Sequence, residues 1–121
     1  MFTEVLKEIL DRTEGCLGVL IIGLDGIAVE KLWHDDVTDL NLQIAVTEYV
    51  ALAKSALALS SDNDLSPFQE MTISNGDESF LMRLIDDEHF LTVILSKDSN
   101  LGRARYELQR AELLLQSELV T

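Results

Sequence analysis

Cysteine and proline each occur once in 121 residues, and glycine only six times. The single cysteine, Cys16, can form no internal disulfide. That excludes a disulfide-stapled framework and fits a reducing compartment, so the expected location is the cytoplasm. With so little proline and glycine there is no room for a linker rich in either. No internal repeat or low-complexity tract occurs. Basic side chains are scarce as well, nine against 22 acidic ones, for a net charge of −13. A surface this negative repels phosphate backbones and anionic membranes, so nucleic acid is not an expected partner. No uninterrupted apolar run approaches the roughly 20 residues needed to span a bilayer, and direct membrane insertion is not expected. The opening Met1-Phe2-Thr3-Glu4-Val5-Leu6-Lys7-Glu8 mixes charged and apolar residues too closely for a signal peptide.

The side-chain sets that carry chemistry are also missing. A phosphate-binding loop needs a glycine-rich turn opening a helix, whereas Gly23 and Gly26 sit in a hairpin. The acids cluster at turns (Asp35, Asp36 and Asp39; Asp62 and Asp64; Asp77 and Glu78; Asp86, Asp87 and Glu88), and none has the central glycine and spacing of a calcium loop. They read as solvated loop charge. His34 beside Asp35 and Asp36 could touch a metal, but solvated loop residues are the plainer reading. A thiol–imidazole pair would suit nucleophilic chemistry, yet nothing in the spacing brings Cys16 to a histidine. A lone cysteine beside a strand reads as a small buried hydrophobe. The expectation is a protein with no catalytic residue, no metal and no cofactor.

What is present is a globular pattern, 47% hydrophobic, of a length suited to one domain over residues 1–121. Phe2, Val5, Leu6 and Ile9 recur at helical spacing, with Glu4, Lys7, Glu8 and Asp11 opposite, predicting a short amphipathic helix that stops near Gly15. Residues 17–24 are aliphatic and too few for a buried helix, so they read as a strand covered on both faces. The turn Leu24-Asp25-Gly26 leads into an outer strand over residues 27–33, where Glu30 and Lys31 are polar.

Asp39 suits the N-cap of a long helix reaching about residue 60. At about 100° per residue, Leu42, Ala45, Val46, Tyr49, Leu52, Ala53, Ala56 and Leu57 form one broad apolar face. Leu40, Ile44, Ala51 and Ala58 form a second stripe nearly opposite. Gln43, Thr47 and Lys54 separate the stripes on one flank, and Asn41, Glu48 and Ser55 on the other. A helix lying on one core needs one apolar face, and this one has two. The small residues of the second stripe suit close approach of another helix, against the plainer reading of incidental surface apolarity.

A loop over residues 61–67 precedes a strand at 68–74, then Asn75-Gly76, a strong hairpin signal. Strands follow at 80–85 and 90–95, joined by an acidic turn. Ser99 or Asn100 caps a last helix with the stripe Leu101, Ala104, Leu108, Ala111, Leu115 and Leu119. Arg103, Arg105, Glu107, Arg110, Glu112 and Glu118 are expected to point elsewhere. The order is α-β-β-α-β-β-β-α. Tight turns make neighbouring strands antiparallel, and doubly apolar strands need cover on both sides. The expected class is therefore α+β, a five-stranded antiparallel sheet between helical layers.

This order and three local matches resemble the Roadblock/LC7 family. Val19-Leu20-Ile21-Ile22-Gly23-Leu24-Asp25-Gly26-Ile27-Ala28-Val29 is similar to its opening hairpin, with Gly23 where many members carry aspartate. The alanine-rich stretch 45–58 resembles its middle helix. Leu95-Ser96-Lys97-Asp98-Ser99-Asn100-Leu101-Gly102-Arg103-Ala104-Arg105 resembles the turn that opens its last helix. The resemblance implies a profilin-like sheet with the middle helix on one face and the terminal helices on the other. It also implies a homodimer in which the third strands pair and the middle helices pack, through Leu40, Ile44, Ala51, Ala58, Gln69, Met71 and Ile73. Members are platforms and partners of Ras-like GTPases. Stand-alone members of this size are similar to the activator of a polarity-controlling GTPase, which the paired middle helices contact; here that places Asn41, Glu48 and Ser55 at the GTPase. Any stimulation is expected to lack an arginine finger. Lys54 is the only cation on the middle helix and its flanking loops, and lysine lacks the planar fork that suits phosphate. The competing reading from another class is a small-ligand sensory module of profilin-like architecture, which would need an internal cavity.

Overall fold

The aliphatic runs of this sequence become the inner strands of one sheet. The computed structural model describes residues 2–35 and 40–119, and the side chains among them other than those of residues 117–119. Asp39, expected as the cap of the middle helix, lies outside the described residues, as do the side chains of Glu118 and Leu119. The elements are α1 (Phe2–Arg12), β1 (Cys16–Gly23), β2 (Ala28–Trp33), α2 (Leu40–Asp62), β3 (Glu70–Ser74), β4 (Glu78–Leu84), β5 (His89–Ser96) and α3 (Leu101–Leu119). The strands are antiparallel and ordered β2-β1-β5-β4-β3. The order α-β-β-α-β-β-β-α and the α+β class agree with the sequence reading.

Two of the turns show why the chain reverses where it does. At β1–β2, Gly26 adopts φ +82°, which a side chain rarely tolerates, and Asp25 Oδ1 accepts from the Ile27 N–H at 2.9 Å. At β3–β4 the Asn-Gly signal marks the hairpin, but a three-residue loop closes it. Asn75 Oδ1 accepts from the N–H groups of Asp77 (2.7 Å) and Glu78 (2.8 Å), an Asx-type turn that needs no positive φ.

Alternation along β1 and β5 divides the interior in two. Val19, Ile21, Val93 and Leu95 face a layer made by Leu6 and Ile9 of α1 and Ala104, Leu108, Ala111 and Leu115 of α3. Leu20, Ile22, Phe90 and Ile94 face Leu42, Val46, Val50 and Ala53 of α2. Tyr49 meets Phe80 edge-on with ring centroids 4.9 Å apart, a favoured aromatic geometry. Both faces of the sheet are filled by side chains.

Three sequence-based assignments need correction. Leu52, placed on the core face of α2, is 57% exposed, and Val50, left out of that face, is buried. Leu52 sits at the rim of the face, about 100° round from its centre. Glu107, expected to point outward, is 0% exposed. By length and mean hydropathy alone α2 could cross a bilayer. It carries Glu48 and Lys54 mid-helix, however, and each charge at a bilayer centre costs about 2.5–3.5 kcal/mol. Its packing on the sheet gives the apolarity another use.

Candidate functional site

Helix α2 lies on the sheet and turns a second apolar surface outward. Leu40, Ile44, Leu52 and Leu59 are 70%, 50%, 57% and 64% exposed. Ala51 and Ala58 are exposed between them. One flank is occupied from within: Lys31 Nζ of β2 donates to Gln43 Oε1 at 3.1 Å, and Thr47 lies against the β1–β2 turn at Gly26. The other flank, with Asn41, Glu48 and Ser55, is exposed and turned away from that hairpin. Leu52 and Leu59 share this flank with its polar residues. Their exposure follows from a core face narrower than the apolar pattern implies.

Strand β3 lies at the edge of the sheet, hydrogen-bonded to β4. Pairing reaches one residue before it, because the Gln69 carbonyl accepts from the Leu84 N–H at 2.9 Å. Met71 and Ile73 lie opposite Met82 and Phe80, which places them on the α2 side of the sheet. Glu70 is on the other side. Its carboxylate is held by Arg105 Nε at 2.7 Å and by Arg83 Nη1 at 3.5 Å, so the one charge on β3 is drawn under the sheet toward α3. An edge with neither proline nor lysine is open to strand pairing.

The arginines of α3 are all engaged. Glu107 lies among Arg103 (3.1 Å), Arg110 (3.3 Å) and Arg12 of α1 (3.8 Å). Arg110 also grips Glu8 at 2.7 Å, which lowers the Glu8 pKa below the usual carboxylate value. Arg83 joins Glu112 of α3 to the same sheet face. These cations lie across the sheet from α2. The i, i+4 and i, i+3 spacing of Arg103, Glu107 and Arg110 was the sequence signal for this cluster.

The fold brings together two residues that spacing did not. Cys16 and His34 line one open cleft of about 750 Å³ between the end of α1 and the ends of β1 and β2, with Thr13, Leu32 and Trp33. The Cys16 thiol donates to the Gly18 carbonyl at 3.5 Å, and burial pushes its pKa up to about 12. A thiol in that state is not a nucleophile at neutral pH. His89 is the first residue of β5, with Nδ1 3.0 Å from both oxygens of the Asp86 carboxylate in the preceding turn. Among the described residues no group of three or more His, Cys, Asp or Glu is placed to hold a metal ion.

No protein-family model and no curated protein matches this chain. Solved structures do. MglB in a tetrameric arrangement is 21% identical over 95% of this chain and 85% of its own, with a TM-score of 0.84. MglC from Myxococcus xanthus is 27% identical over 98% of both chains, with a TM-score of 0.71. A Roadblock/LC7 domain from Streptomyces avermitilis is 12% identical over 98% of this chain and 97% of its own, with a TM-score of 0.76. The chain has the Roadblock/LC7 fold.

Proposed function

We propose that this chain is a non-enzymatic, homodimeric platform in the cytoplasm that binds a Ras-like GTPase and regulates or localises it. One observation carries the reading: α2 presents Leu40, Ile44, Leu52 and Leu59 to solvent after its core face is already satisfied by the sheet. Exposed apolar surface of that kind, rimmed by polar residues, marks a protein interaction site. The open β3 edge lies on the same sheet. Pairing of two β3 strands through Gln69, Met71 and Ile73 extends the sheet, with contact between the α2 helices through Leu40, Ile44, Ala51 and Ala58. Ile44 and Ala58 lie seven residues either side of Ala51. A two-fold axis at Ala51 sets each Ile44 against the small Ala58 of the second copy, and alanine at the crossing lets helices approach to about 8 Å. Fold resemblance to MglB and MglC supports the GTPase partner, Asn41, Glu48 and Ser55 being the polar residues of its site. The neutral thiol of Cys16 supports a role without catalysis, and the filled faces of the sheet favour a platform over a sensor with an internal cavity.

The test has two arms. Light scattering at micromolar concentration is expected to give the mass of two chains. Ala51→Asp is expected to weaken the dimer by roughly 3–5 kcal/mol, because it buries an unpaired charge. Calorimetric titration with purified Ras-like GTPases of the source organism, loaded with a non-hydrolysable GTP analogue, is expected to find one that binds. A monomer in the first arm removes the dimer, and silence across the second removes the GTPase.

A further inference from the structure

We propose that the tip of the β1–β2 hairpin, through Ile27 and Val29, is a second contact for the protein bound on α2, and that the partner meets it with an apolar patch flanked by carboxylates for Lys31 and Lys54. The inference rests on the GTPase-platform reading and adds a surface beyond α2 itself. Strand order puts this hairpin at the border of the sheet away from β3. A second copy joined at β3 leaves the hairpin in water, together with the flank of α2 that carries Gln43, Thr47 and Lys54. Three points fall in line along that flank. Lys31 of β2 reaches Gln43, the turn at Gly26 lies against Thr47, and Lys54 follows two turns further along the helix. The tip thus stands between two lysines, with Gln43 and Lys54 roughly 16 Å apart along the axis.

These lysines differ from the other cations of the chain. Every arginine holds a glutamate, and Lys7 holds Asp11. Among the described residues, Lys31, Lys54 and Lys97 take part in no ion pair. Lys97 lies at the other end of the sheet, in the turn between β5 and α3. Lys31 gives one of its three protons to a neutral amide. Two cations left without a carboxylate in a chain of net charge −13 match acidic groups on a partner. The acid of the turn, Asp25, is bent back onto the Ile27 N–H.

Ile27 and Val29 are 66% and 47% exposed. A lone exposed aliphatic residue is ordinary, but this tip is fixed before any partner arrives. The Ile27 carbonyl accepts from the Gly23 N–H at 2.9 Å, and the Leu24 N–H donates to the Glu88 carbonyl of the β4–β5 turn at 2.9 Å. A tip held in this way loses little freedom on binding. Val29 is the residue that the ladder to β1 passes over, so the contact is made by side chains and not by an added strand. A small domain is about 30 Å across, against about 10–12 Å for a helix with its side chains, so a GTPase seated on α2 overhangs this border.

The experiment titrates purified Ras-like GTPases of the source organism, loaded with a non-hydrolysable GTP analogue, into wild type and three variants. These are Ile27→Ser, the pair Lys31→Glu with Lys54→Glu, and Lys97→Glu, with mass and thermal melting checked for each. Ile27→Ser is expected to lose about tenfold in affinity, the scale of one anchor. The lysine pair is expected to lose at least about tenfold, and more at low salt. Lys97→Glu changes net charge far from the tip and is expected to stay within about twofold. Every variant is expected to keep the wild-type mass. Wild-type affinity in a folded Ile27→Ser overturns the anchor and leaves the platform standing. Unchanged binding by the lysine pair overturns the carboxylate patch, and decides the case in which Ile27→Ser fails to fold. A loss in Lys97→Glu equal to that of the pair reduces the effect to overall charge and overturns the contact, as does a fall in mass in either tip variant. A wild type that binds no GTPase ends the platform reading and this inference with it.

Discussion

Cys16 shows how much environment decides at the level of one residue. Its thiol is raised from an ordinary 9.0 to about 12 because burial disfavours the thiolate. The folded chain therefore holds this proton more tightly than the unfolded chain. The stability it contributes is complete below about pH 9 and is lost as pH rises from 9 toward 12. Comparing the urea midpoints of wild type and Cys16→Ala across pH 8–11 isolates the contribution of this thiol. The gap between the two proteins is expected to shift against wild type above pH 9, and a constant gap contradicts the burial argument. A disulfide reagent at pH 8 is expected to modify the thiol only as fast as the protein opens. Partner binding should survive Cys16→Ala and His34→Ala alike.

Between elements, the fastening of α1 to α3 depends on a carboxylate with no exposure. Glu107 meets Arg12 of α1 together with Arg103 and Arg110 of its own helix. Glu107→Ala would leave three guanidinium groups facing one another. The three arginines keep a third or more of their surface in water, so the cost is expected at the low end for a broken buried pair, about 3 kcal/mol in urea unfolding. Glu107→Gln should cost less, and an Ala variant as stable as wild type would show that the arginines find water instead. This cluster was not legible from hydropathy. A charged residue at the rim of a helix's core face reads as solvent-facing until its cations are known, and Arg12 arrives from the far end of the chain. The strands were legible because period-2 and fully apolar patterns do not depend on partners. The double character of α2 was legible from its second stripe, but the division of its rim between Val50 and Leu52 was not. Both are apolar, and only the position of the helix on the sheet decides which is covered.

For the whole molecule, the sheet separates its charges. All five arginines lie on α1, β4 and α3, and each is paired there with a glutamate. The α2 face keeps Lys31 and Lys54. If the chain stimulates hydrolysis by a GTPase on α2, it does so by favouring a conformation in which the enzyme's own residues are in place. In single-turnover hydrolysis, alanine at Lys54, Arg103, Arg105 or Arg110 is expected to change the stimulated rate no more than it changes binding. A drop of about a thousandfold at any one of them, with binding intact, is the size of a lost arginine finger and would defeat this account. The strand order β2-β1-β5-β4-β3 carries a different consequence. A sheet joined β3 to β3 presents β2 at each of its ends. That strand displays Glu30 and Lys31, and its pairing with β1 slips at Ile21 and Ile22. Charge and irregularity at an edge discourage further strands, so in the proposed dimer growth by this route would stop at two copies. The same surface economy that leaves one border open for a twin keeps the other from seeding a fibre.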